Sequence, residues 1–247
     1  MYIVASSVSS SYLLGLATYV YNDFTDFQVD KINKTNRPSI KDRLTKRHLI
    51  TTVCIMFTIG LGLTASINFH AFIVSIIFVA LGIFYSHPKF KLKDKFLLKT
   101  LITGTGAGLL SLLGGMAVMN TSPSIIYTAF SFFIFYFILS PLGDIGDING
   151  DRAVGRRTFP IVFGIEKTLL IMLSVPFVIS LLTVSSYSIL HMNMVGVFAV
   201  IATSIAIIAT IMRLHKSLMY HHEVKSFRHK MRFLNITMQI AMLLAFL

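Results

Sequence analysis

Two stretches of this chain hold acids at spacings that place them on one face of a helix. In Tyr21-Asn22-Asp23-Phe24-Thr25-Asp26-Phe27-Gln28-Val29-Asp30, the oxygen-bearing side chains of Asn22, Asp26 and Asp30 recur at every fourth residue. In Asp144-Ile145-Gly146-Asp147-Ile148-Asn149-Gly150-Asp151, acids stand at i, i+3 and i+7, again on one face. With Asp23, the two stretches hold six of the ten acids in the chain. Like charges this close, at the edge of apolar segments, repel one another and need a cation. Mg²⁺ prefers oxygen ligands and commonly bridges a protein to phosphates, so two such faces could converge on a pair of metal ions holding a diphosphate between them. The alternative is that these acids balance neighbouring Lys and Arg on solvated helix ends. Basic residues follow each cluster, Lys31, Lys34 and Arg37 after the first and Arg152, Arg156 and Arg157 after the second. They suit the remaining diphosphate oxygens, or serve as membrane anchors. A third polar stretch, Tyr85-Ser86-His87-Pro88-Lys89-Phe90-Lys91-Leu92-Lys93, joins a tyrosine to a run of lysines.

The elements that carry these residues follow from composition. Of 247 residues, 55% are hydrophobic and 13% charged, which excludes a soluble surface. Charge-free runs cover 1–22, 49–88, 100–143, 168–212 and 233–247. One crossing needs roughly 20 apolar residues, so the three long runs are each two spans joined by a turn. Turn-forming residues lie near their middles, at Ser66-Ile67-Asn68-Phe69-His70, Asn120-Thr121-Ser122-Pro123-Ser124 and Ser185-Ser186-Tyr187-Ser188. The expectation is an all-α bundle of about eight transmembrane spans forming a single domain over 1–247. All 22 Lys and Arg fall in four segments, 23–48, 89–99, 144–167 and 213–232. Two spans separate each segment from the next, so all four emerge on one face, which the positive-inside bias makes cytoplasmic in a cell-membrane protein. The net charge of +12 is then an orientation signal and an attraction to anionic headgroups, and no nucleic acid is expected as a partner. Residues 1–22 lack the basic start of a signal peptide. Cys54 lies within a span, where a buried thiol is expected, and the spacing of His215, His221, His222 and His229 fits no compact ligand set.

Asn22-Asp23-x-x-Asp26-x-x-x-Asp30 followed by Asn36-Arg37-Pro38, and Asp144-x-x-Asp147-x-x-Gly150-Asp151-Arg152 followed by Gly155-x-Arg157-Thr158-Phe159-Pro160, resemble the two aspartate-rich motifs of the UbiA superfamily of intramembrane prenyltransferases. Tyr85-Ser86 and the lysines after it are similar to that family's middle loop. The resemblance implies a helical bundle around a central cavity, open to the membrane and to the cytoplasmic face, that binds a polyprenyl diphosphate through Mg²⁺. It also implies that Asn22, Asp26, Asp147 and Asp151 are metal ligands, with Asp30 and Asp144 as supporting acids. Arg37, Lys91 and Arg157 are the expected diphosphate contacts, and Tyr85 the expected contact near the reacting carbon. Two departures stand out. Family members typically have nine spans, and the one before the first motif is absent here, so the chain is expected to be a truncated product or an unusual member. Many relatives also carry Lys immediately before the second motif, where this chain has Gly143.

Departure of diphosphate from an allylic carbon builds negative charge on the leaving group, which metal ions and basic side chains stabilise. It also leaves an allylic cation that must be kept from water and can rest against aromatic faces. The loops resemble archaeal members, which implies transfer of geranylgeranyl to the lipid acceptor geranylgeranylglyceryl phosphate. Transfer to an aromatic acceptor of quinone, haem or chlorophyll synthesis stays open. A CDP-alcohol phosphatidyltransferase would need an Asp-Gly-x-x-Ala-Arg block that this chain lacks, and a cation transporter would place acids near mid-bilayer rather than at one edge.

Overall fold

A computed structural model describes residues 1–32, 45–217 and 224–247, and among these the secondary structure is helical, with no strand. The elements are α1 (Tyr2–Thr25), α2 (Phe27–Ile32), α3 (Lys46–Ile67), α4 (Phe69–Ser86), a 3₁₀ turn (Leu92–Asp94), α5 (Leu98–Ala117), α6 (Pro123–Ala153), α7 (Phe159–Phe163), α8 (Ile165–Ser186), α9 (Met194–Ser217) and α10 (Val224–Leu244). Among the described residues α1, α3, α4, α5, α6, α8 and α9 are long and apolar enough to cross a membrane.

The last span departs from expectation. A crossing over 233–247 was anticipated, but the helix begins at Val224 and its first turns carry Arg228, Lys230 and Arg232. Those charges keep α10 out of the set that qualifies as spanning, although it packs along α9 and against α6. What holds it there is a stripe of buried Phe227, Met231, Met238, Ala241 and Met242, at helical spacing.

The expected turns are where the helices break. Asn68 ends α3 and starts α4: its Oδ1 accepts from Ala71 N at 2.8 Å, and its Nδ2 donates to the carbonyls of Met116 and Ala117 at 3.0 and 3.1 Å. One side chain therefore caps α4 and bonds two carbonyls at the end of α5. Before α6, Asn120 Oδ1 accepts from Ser122 N at 2.8 Å, and Pro123 takes the first helical turn, where no N–H partner is required.

One half of the bundle, α1 with α3, α4 and α5, is drawn together by small residues. Ser10 Oγ donates to Gly60 O at 2.8 Å, and a Cβ on Gly60 would come within 2.7 Å of Leu14 Cδ2. The other half, α6 with α8, α9 and α10, shares a core of Phe135, Ile138, Met172, Ile179, Ile207 and Met238. The α5–α6 contact joins the halves, and it is tight because a Cβ on Gly104 would lie 2.8 Å from the Phe133 carbonyl oxygen. Gly104→Ala is therefore expected to lower stability by about 1–3 kcal/mol, read as a drop in thermal midpoint in detergent. Gly62→Ala, where nothing lies within 4 Å of the added carbon, serves as the control and should not lower it.

The outer surface is apolar, with Ile55, Ile59, Ile77, Phe177, Phe198 and Ile240 exposed as a lipid-facing layer. Cys54 belongs to that surface and is exposed, contrary to the buried thiol expected.

Candidate functional site

The first acid cluster sits where α1 ends. The helix expected to run unbroken through 22–30 is interrupted at Asp26, which caps α1 with φ −95° and ψ 9° before α2 resumes at Phe27. The helical register survives the break, because Asp26 N donates to Asn22 O and Asp30 N to Asp26 O, both at 2.9 Å. The second cluster lies on the final turns of α6, which continues unbroken past Asp144 to Ala153. Contact between α2 and α6 brings the two clusters together, and Asn22, Asp26, Asp30, Asp144, Asp147 and Asp151 all line one cavity of about 250 Å³. Tyr85, Lys99, Thr103, Tyr136, Ser140 and Arg156 add further polar groups to its wall.

Among the described residues Arg156, Lys93 and Lys99 pair with Asp26, Asp144 and Asp151 of these acids. Arg156 reaches three carboxylates at once, with Nη2 2.7 Å from Asp26 Oδ1, Nε 2.6 Å from Asp94 Oδ1 and Nη1 3.0 Å from Asp151 Oδ1. One guanidinium thus ties the first motif, the loop before α5 and the second motif. Lys93 Nζ lies 2.9 Å from Asp26 Oδ1 and donates to Asn22 Oδ1 at 3.1 Å and Thr25 Oγ1 at 2.6 Å. Lys99 Nζ donates to Asp144 Oδ1 and stands 3.8 Å from Asp151 Oδ2. Burial alone would raise the Asp26 carboxyl, but Lys93 and Arg156 outweigh it and hold the group below its ordinary value. Burial likewise opposes the charge on Arg156, and Asp26, Asp151 and Asp94 reverse that and raise it. Lys93 is desolvated more deeply, and burial pulls it down even with Asp26 alongside.

Among the described residues no three acids already form a compact metal-binding group. The donor set nevertheless suits Mg²⁺. Oδ2 of Asp144 and Oδ2 of Asp151 are buried in the site and accept no hydrogen bond, which leaves carboxylate oxygens of the kind a hard cation binds.

The expected basic contacts are placed differently. Lys91 begins the 3₁₀ turn with φ 44° and is exposed, outside the cavity wall, while Lys93 two residues on is turned inward and buried. Arg157 is also exposed, with its backbone N–H on Asp94 O at 3.4 Å, and its neighbour Arg156 is the buried residue. Arg37 lies outside the described residues. Lys99 and Asp94 escaped the sequence reading altogether. Lys99 had one usable signal, since it is the last charge before the apolar run beginning at residue 100.

An apolar groove of about 430 Å³ adjoins the polar cavity, between α1, α4 and α5. The two share Asn22, Tyr85, Thr103 and Tyr136, and the groove is walled beyond them by Phe78, Leu81, Ile102 and Leu110. The acids therefore sit at the polar end of a passage that becomes apolar within the bundle.

The chain is 32% identical over 152 residues to a digeranylgeranylglyceryl phosphate synthase of Sulfurisphaera tokodaii, covering 61% of this chain and 54% of the relative. It is 30% identical over 173 residues to a chloroplastic chlorophyll synthase of Avena sativa, covering 66% of this chain and 45% of the relative. The matched region thus spans about half the length of these curated relatives. In structure the chain superposes on a UbiA homologue from Archaeoglobus fulgidus, solved with GPP and Mg²⁺, with a TM-score of 0.67 at 16% identity over 98% of this chain and 88% of the other. The family model for UbiA prenyltransferases matches residues 3–236, and the chain belongs to that family.

Proposed function

We propose that this integral membrane protein is a Mg²⁺-dependent prenyltransferase that moves a polyprenyl group, geranylgeranyl as the best-supported donor, from its diphosphate to a membrane-embedded lipid acceptor. The observation that carries this reading is the meeting of both acid clusters at the polar mouth of an apolar groove. Asn22, Asp26, Asp147 and Asp151 would hold the metal, with Asp30 and Asp144 in support. When bound, Mg²⁺ would neutralise the diphosphate and stabilise the charge that develops as it leaves.

The chain's own residues do the rest. Lys99 and Arg156, which line the cavity, and Lys93, which is paired with Asp26 behind it, would supply N–H donors to the diphosphate oxygens where a metal took over their carboxylates, in place of the expected Lys91 and Arg157. The groove beside Tyr85 and Tyr136 receives the prenyl chain and keeps water from the allylic carbon. The bond from that carbon to the diphosphate oxygen breaks with its electron pair leaving on the diphosphate, the carbon bonds to an acceptor hydroxyl oxygen, and the hydroxyl proton passes to the released diphosphate. The clustering of Lys and Arg in four segments on one face supports a cytoplasmic active site.

The relative from Sulfurisphaera tokodaii favours geranylgeranylglyceryl phosphate as the acceptor, and the relative from Avena sativa keeps a chlorophyll-type acceptor as the second reading. The test is steady-state turnover of labelled geranylgeranyl diphosphate by protein in lipid with Mg²⁺, with geranylgeranylglyceryl phosphate, an aromatic acid and a chlorophyllide offered separately. Product with the glyceryl phosphate is expected. Product with only one of the others would replace the ether-lipid reading.

A further inference from the structure

Arg228, on the first turns of α10, reaches the second motif from a part of the chain that neither motif includes. Its Nη2 donates to Gly143 O at 2.6 Å and lies 3.3 Å from Asp147 Oδ1. The guanidinium rests against Gly146, where an added Cβ would come within 1.9 Å of Nη2 and 2.6 Å of Cζ. Residue 146 must therefore lack a side chain for the arginine to occupy this seat. Nε is buried and has no hydrogen-bond partner. A guanidinium offers five N–H donors in a planar fork that matches phosphate oxygens, and here Nη2 is committed to Gly143 and Asp147 while the Nε–H has no acceptor.

The contrast with the other cations of the site is instructive. Lys93 and Arg156 are 3% and 6% exposed and are enclosed by acids, whereas the Arg228 and Asp147 side chains keep 29% and 33% of their surface. Asp147 lines the cavity, and Arg228 holds it from just outside the cavity wall, on the more exposed side of the site.

We infer that Arg228 is an anion-binding residue of the site, which takes a phosphate group of a substrate when Asp147 turns to a divalent cation. The inference rests on the prenyl-transfer reading above. The chemistry is shared by the donor's diphosphate and by the phosphomonoester of a glyceryl phosphate acceptor, and the two sources are separable by experiment.

The protein in lipid nanodiscs with Mg²⁺ is titrated calorimetrically with inorganic diphosphate and, separately, with glycerol 1-phosphate, and KM is measured for donor and acceptor. Arg228→Gln is expected to weaken binding of at least one probe about tenfold or more, with the matching KM rising. Weakening toward diphosphate assigns Arg228 to the donor, and weakening toward glycerol 1-phosphate assigns it to the acceptor. Gly146→Ala, which displaces the guanidinium without removing its charge, should weaken the same probe, and Arg228→Lys should restore binding in part. If Arg228→Gln lowers only the melting temperature and binds both probes as wild type does, the arginine is a structural tie and the inference is overturned. If the wild-type protein itself binds neither probe, the prenyl-transfer reading falls and takes the inference with it.

Discussion

Replacing Asp151 by Ala is expected to lower kcat for the proposed Mg²⁺-dependent prenyl transfer about 10²- to 10³-fold, the loss typical of removing one preorganised electrostatic contact to a developing charge. The carboxylate is 1% exposed, one of its oxygens holds Arg156 Nη1 at 3.0 Å, and the other accepts no hydrogen bond. Its removal leaves Arg156 with Asp26 and Asp94, so the bundle should still insert and elute as the wild type does in size-exclusion chromatography. Asp26→Ala should cost as much activity and more stability, because Asp26 answers both Lys93 and Arg156. Asp26→Asn keeps the shape and separates the two effects. Turnover near the wild-type rate in both alanine variants would remove the metal assignment.

Replacing Arg156 by Met has the largest expected effect on stability. Arg156 is 6% exposed and lies between Asp26, Asp94 and Asp151, so its loss leaves like charges facing one another in a desolvated site. Breaking such a buried network costs about 3–5 kcal/mol. For a chain of this length that corresponds to a fall of roughly 10 °C in thermal midpoint. A divalent cation that binds the exposed carboxylates favours the folded state by mass action, so millimolar Mg²⁺ should recover much of the loss. The wild-type protein should gain less from Mg²⁺, since its own arginine competes for the same oxygens. Melting curves of both proteins with and without Mg²⁺ read this directly. An Arg156→Met protein that melts at the wild-type temperature without Mg²⁺, or that is indifferent to Mg²⁺, would contradict the role given to this residue.

What could be read before the structure was known is what depends on local solvation. A charge-free run either spans a bilayer or it does not, and Asn68 or Pro123 marks a break for reasons contained in a few residues. The acids were legible for the same reason, since Asn22, Asp26 and Asp30 keep helical hydrogen-bond register even across the break at Asp26. Which of the neighbouring cations enter the site was not. Lys91 and Lys93 are equivalent in composition, and only the left-handed turn at Lys91 decides which of them enters the site. Arg156 and Arg157 are adjacent, and the turn after Ala153, with Gly155 at φ 70°, buries the first and exposes the second. Arg228 was hidden by its helix, because charges in the first turns of α10 placed the start of the last span nine residues late. Which of two neighbouring cations points inward is a property of tertiary packing, and short-range pattern does not contain it.

If the two acid clusters act together on a prenyl diphosphate, loss of either one stops the reaction. The most direct measurement is release of inorganic diphosphate from geranylgeranyl diphosphate by the lipid-reconstituted protein, with geranylgeranylglyceryl phosphate present and Mg²⁺ either supplied or chelated. Release that requires Mg²⁺ and is lost in both Asp26→Asn and Asp151→Ala is the predicted result. Release that persists under chelation, or in either variant at the wild-type rate, would contradict it.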